Sequence, residues 1–157
     1  MVNFRRPLTT AALLLISVLV LSGCASRSLF TESMETAIPN ALVESELGIV
    51  SAEAGLSQSG FAQTISVGAV FEDDSFSADE MNTLLQIVVL NTNMTGAETL
   101  SISGAVGEYP NDDPLDLGGY GAELGFPRKD SGYASTTTFS APWGDVLDYL
   151  NEKLSAE

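Results

Sequence analysis

The chain has 157 residues, 45% of them apolar and 17% charged, with 21 acidic side chains against 6 basic ones, no histidine and one cysteine. A formal net charge of −15 excludes DNA and RNA as partners, because their binding draws affinity from Lys and Arg neutralising phosphates. Without histidine, and with a single thiol, the chain has no His-Cys zinc set, no Ser-His or Cys-His nucleophile pair and no internal disulfide. The length suits one domain, and seven Phe, four Tyr and one Trp supply a core that disordered chains lack.

Residues 1–23 are organised as a secretory signal. Arg5 and Arg6 form a positive start, Ala11 to Leu21 an apolar run, and Ser22-Gly23 a small-residue exit. The apolar run falls well short of the about 20 residues that a transmembrane helix needs. Leu21-Ser22-Gly23-Cys24 resembles the lipobox of bacterial lipoproteins, and the chain's only cysteine occupies its last position. That resemblance implies cleavage before Cys24, a diacylglyceryl group on its thiol and localisation at a cell membrane, on the extracytoplasmic side. Two acyl chains make a lasting anchor where one binds reversibly. Ala25 stands where Asp would resemble an inner-membrane retention signal. Arg5-Arg6 also hints at twin-arginine export, but Phe4 replaces the usual Ser or Thr, which favours the general secretory route.

Cleavage removes Arg5 and Arg6 and no acid, so the exported part is more acidic than the precursor. Arg27, Arg128, Lys129 and Lys153 form no polybasic patch, which leaves the lipid to anchor alone. Residues 24–33 read as a short lipidated tether. Its extended span of at most about 30 Å keeps the domain, residues 34–157, close to the membrane.

The domain opens with a helical pattern from Met34 to Leu47, with Pro39 in the first turn, Leu42, Val43 and Leu47 on one stripe, and Gly48 as its stop. Ile49 to Leu56 and Phe61 to Glu72 read as strands joined by a Ser57-Gln58-Ser59-Gly60 loop. In the second strand Phe61, Ile65, Val67, Ala69 and Phe71 alternate with Ala62, Thr64, Ser66, Gly68 and Val70. Ser77-Ala78-Asp79-Glu80 is a capping box. It starts a helix whose Met81, Leu84, Leu85 and Val88 form an apolar stripe, and Asn91-Thr92-Asn93 ends it. Glu98 to Gly107 reads as a third strand, with Leu100, Ile102 and Val106 inward and Thr99, Ser101 and Ser103 outward.

Glu108 to Pro114 is an irregular acidic stretch, followed by a short helix at Leu117 to Leu124 that Gly125 and Pro127 close. Tyr133 to Phe139 reads as an edge strand. Ala141-Pro142-Trp143-Gly144 leads into a last helix with Val146, Leu147 and Leu150 at helical spacing. The expected architecture is a small α+β domain with an α-β-β-α-β core, helices on one face of an antiparallel or mixed sheet, and C-terminal helices. That order resembles the ring-building modules of bacterial envelope machines. The phrasing Ala41-Leu42-Val43-Glu44-Ser45-Glu46-Leu47-Gly48, Glu123-Leu124-Gly125-Phe126-Pro127 and Ala141-Pro142-Trp143 resembles small lipoproteins of Gram-positive actinobacteria, to which no activity is attached.

No residue pattern assembles a catalytic, metal or cofactor site. From Asp73 the EF-hand positions fall on Ser75, Ser77 and Ala78, and Asn111-Asp112-Asp113-Pro114 places Pro at the third position from Asp112. Gly118-Gly119-Tyr120-Gly121 departs from the dinucleotide fingerprint at Leu124 and reads as flexible connector. Trp143 reads first as packing of the last helix onto the domain and otherwise as an exposed anchor held rigid by Pro142; on that second reading it and the Asp112-Asp113 loop are the candidate contact residues for an envelope protein partner. The expectation is a non-catalytic, lipid-anchored protein acting through protein contacts, without cofactor. The alternative is a lipid-anchored binder of cations or small solutes through its acidic loops.

Overall fold

A computed structural model describes residues 33–92, 96–107, 113–128 and 137–155. The first helix, α1, covers residues 33–43. Met34, Ile38 and Leu42, one helical turn apart, are its buried stripe, whereas Val43 is 44% exposed. Pro39 lies inside this helix rather than in its first turn, and it has no N–H to offer the carbonyl of Glu35. The helix stops before Leu47 because Ser45 turns the chain: its N–H and its Oγ both donate to the Leu42 carbonyl, at 3.2 and 2.6 Å. Gly48 follows with φ +66, a conformation that costs glycine nothing.

Strands β1 (Ile49–Ser59) and β2 (Ala62–Phe71) form an antiparallel hairpin. The turn is tighter than the sequence suggests. Ser59 pairs with Ala62, and Gly60-Phe61 alone make the loop, with Gly60 at φ +64 in the first turn position as type II′ requires. Phe61 therefore leaves the inward series and stands 99% exposed. A bulge between Ile49 and Ser51 puts Val50 outside the pairing and shifts the alternation, so that Ala52, Ala54 and Leu56 lie opposite Ala69, Val67 and Ile65.

Helix α2 (Ala78–Leu90) carries the chain back to β3 (Thr99–Val106), which pairs with β2 in parallel. Ser77 caps the helix by accepting from the Glu80 N–H at 3.3 Å, and its hydroxyl donates to Glu80 Oε2 at 2.6 Å. At the far end Asn91 Nδ2 and Thr92 Oγ1 donate to the carbonyls of Ile87 and Val88. Ser77→Ala is expected to lower stability by about 1 kcal/mol, because the Glu80 N–H loses its acceptor; a thermal melt of the purified domain checks it.

The other edge of β3 is shared by two short strands, both antiparallel to it. Strand β4 (Asp113–Leu115) takes Gly104 to Val106, and β5 (Phe139–Pro142) takes Thr99 to Ile102. The sheet thus has five strands in the order β1-β2-β3, then β4 and β5. The end of the acidic stretch read as irregular is consequently strand, because Leu115 needs the core position opposite Gly104. The described edge strand starts at Phe139, the last residue of the expected one, and runs to Pro142, with Phe139 and Ala141 the inward pair that fits beside Ile102 and Leu100. Residues 133–136 lie outside the described residues.

Helix α3 (Leu117–Glu123) separates β4 from β5, and α4 (Trp143–Ser155) ends the domain. The glycines of α3 are helix residues fitted to their neighbours rather than flexible connector. A Cβ on Gly121 would lie 2.4 Å from Cδ2 of Phe139, and the Gly119 N–H caps onto Asp116 Oδ1 at 2.9 Å. One face of the sheet holds the core. Met81, Leu84, Leu85 and Val88 of α2, together with Leu117 and Val146, are completely buried against Ile65, Leu100 and Ile102. The α+β architecture, with a mixed sheet and helices on it, is the one the sequence predicts.

Candidate functional site

The sheet leaves its second face free of described helices, and strand parity decides what lines it. Register places Gly55, Ser66, Ser101 and Ser140 in one row across β1, β2, β3 and β5, with Ser57, Thr64 and Thr99 in the next. Thr64, Ser66, Gly68, Thr99, Ser101 and Ser103, the outward series read from the sequence, all belong to this face. Short side chains keep it open: the hollow over its centre, about 520 Å³ and open to solvent, is lined by Glu53, Gly55, Ser66, Gly68, Ser101, Ser103 and Thr138 among others. Among the described residues Glu53 brings a carboxylate to that centre. Its side chain lies across Gly68, where an added Cβ would meet Cγ and Oε1 at 3.1 Å. The sequence signal for Glu53 was its place as the one charged residue between Glu46 and Glu72; the glycine opposite it emerges only from the register.

A second depression, about 300 Å³, runs between the loop after α3 and α4. Its floor is aromatic, with Phe126 stacked edge-on against Phe139 and tilted against Tyr149, ring centroids 5.2 and 5.1 Å apart. Asp145, Asp148 and Glu152 line its rim from one side of α4. The Tyr149 hydroxyl is buried without a hydrogen-bond partner among the described residues; burial, with Asp79 adding to it, pushes its pKa above the ordinary tyrosine value, and it stays protonated at neutral pH. Asp116 ties the loop to α3 by accepting from Arg128 Nη2 at 3.1 and 3.0 Å.

The two described candidate residues, Asp113 and Trp143, do not come together. Leu21, Ser22, Gly23, Cys24 and Asp112 lie outside the described residues. Asp113 is exposed in β4 opposite Val106. Trp143 is not an exposed anchor. It is 7% exposed and belongs to the core cluster, and its backbone N–H donates to the Glu98 carbonyl at 3.0 Å, which ties the first residue of α4 to the start of β3. In the Glu72-Asp73-Asp74 and Asp79-Glu80 turn, two of the carboxylates are held by neighbouring serines. Asp73 Oδ1 accepts from the Oγ and N–H of Ser75, which hold its carboxyl below the ordinary aspartate range, and Glu80 is bound to Ser77. Among the described residues no three acidic side chains converge on a metal-sized point. No described helix is long and apolar enough to cross a membrane.

No family model, curated protein or solved structure matches the chain.

Proposed function

We propose that this chain is a bacterial lipoprotein of the cell envelope, held on the extracytoplasmic side of a membrane through lipid on Cys24, whose domain is non-catalytic and acts by contact with an envelope protein. The observation that carries the contact reading is the sheet face that no described helix covers. It is open, four strands wide, and built of Gly, Ser and Thr around Glu53, a surface that a second protein can approach closely without displacing bulky side chains. Open relief suits a protein surface better than a small solute, which needs a concave site that buries most of its area. Cation binding through the acidic turn gains no support from carboxylates already engaged by Ser75 and Ser77.

Photo-crosslinking in cells tests the face. A photoreactive side chain at Ser66 or Ser101 is expected to give a discrete protein adduct, and one at Asn151, exposed on α4, is not. Adducts from Asn151 alone, or none from either face position, contradict the reading. Adding bulk to the same surface gives a matching prediction: Ser66→Arg, at an exposed position, is expected to change stability by no more than about 0.5 kcal/mol and to abolish the adduct formed from Ser101.

A further inference from the structure

We propose that the tip of the β1–β2 hairpin is a second membrane contact, with Phe61 entering the headgroup region of the bilayer; this rests on the anchoring through Cys24 proposed above. Phe61 and Leu90, at 99% and 81%, are the most exposed large hydrophobic side chains among the described residues. The topology brings them to one end of the domain. β2 and β3 run parallel and α2 joins them, so α2 returns to the end of the sheet where the hairpin turns, and Leu90 is its last residue. A hydrogen bond from the Glu98 N–H to the Gln63 carbonyl, 2.9 Å, ties the start of β3 to that same end.

Charge is distributed along the same axis. No charged residue occurs between Glu53 and Glu72, so most of the hairpin is neutral in a chain of formal net charge −15. Glu44 and Glu46 just before β1, and Glu72, Asp73 and Asp74 just after β2, gather at the opposite end, where the Glu72 N–H bonds to the Gly48 carbonyl at 2.8 Å. Glu98 and Asp145 stand at the tip end and flank the contact rather than form its apex. An anionic leaflet repels the acidic end and admits the neutral one, so electrostatics orients the apex toward lipid. An aromatic side chain with no protein neighbours gains there by leaving water for the acyl boundary. Reach is sufficient: the chain from Cys24 to α1 extends up to about 30 Å, and a domain of this size has a radius of gyration of about 14 Å.

The test uses the lipidated full chain with Phe61→Trp, reconstituted in phosphatidylcholine–phosphatidylglycerol vesicles brominated at shallow acyl positions, with the parent chain reporting the buried Trp143 as background. The probe is expected to shift to the blue and lose emission to bromine, while the parent changes little; Phe61→Ser is expected to accelerate release of the chain from such vesicles. Emission that bromine leaves unchanged, on a chain that carries fatty-acid label at Cys24, overturns the hairpin contact and leaves the anchor standing. Quenching by added vesicles of a chain that carries no label supports the hairpin contact and removes the anchor. A blue shift that needs membrane-extract protein and is insensitive to bromine assigns the tip to a protein pocket and also overturns the proposal.

Discussion

Trp143→Ala is expected to lower the free energy of unfolding by about 3–5 kcal/mol, the range for removing a large aromatic side chain from a packed core. The indole is 7% exposed and belongs to the same buried cluster as Leu100, Phe139, Val146 and Leu150. Its backbone adds a constraint on how the site can relax. The Trp143 N–H is held by Glu98, and the preceding Pro142 is paired with Thr99, so α4 cannot slide inward to fill the gap. Urea unfolding measures the effect as a lower midpoint at unchanged slope. A variant that kept the parent's midpoint and lost only a binding partner would return Trp143 to the role of an exposed anchor.

The second large effect is at the middle of α2. Leu85→Ala is expected to cost about 2–5 kcal/mol, with the spread set by how far the surrounding side chains close the cavity. Leu85 is 0% exposed and stands between Met81 and Val88, both also 0% exposed, over a sheet face whose Ile65 and Ile102 are equally buried. Alanine is the better helix former, so the loss comes from packing and not from the helix itself. Leu90→Ala supplies the internal contrast: at 81% exposure it is expected to change stability by no more than about 0.5 kcal/mol. Equal losses at the two positions, measured in the same denaturant series, contradict the burial assigned to α2.

What the sequence made legible and what it hid follow from the range of the forces involved. Helix α2 is readable because its signals are local: Ser77 and Glu80 mark the start, and the apolar spacing from Met81 to Val88 marks the face. The outward series of β2 and β3 is readable for the same reason, since strand parity fixes every second residue. Phe61 is misassigned by that very alternation. The strand begins one residue later because Gly60, the residue able to take φ +64 at no cost, must open the turn. Phe139–Pro142 carries too few residues to announce a strand, and its place is decided by the free edge of β3. Trp143 shows the sharpest limit. Ala141-Pro142-Trp143 leaves two readings of the indole, core packing and exposed anchor; the buried cluster it joins, with Leu100 far away in sequence, places it in the core. Glu53 over Gly68 likewise exists only once β1 and β2 are in register.

The membrane anchor proposed for this chain is lipid on Cys24, its only cysteine. Metabolic labelling with a fatty acid, followed by membrane fractionation of cells making the parent chain or Cys24→Ser, tests it most directly. The parent is expected to carry label and sediment with membranes, and Cys24→Ser to carry none and to appear either released or as uncleaved precursor that retains residues 1–23. A Cys24→Ser chain that is labelled, processed and membrane-bound like the parent contradicts the claim.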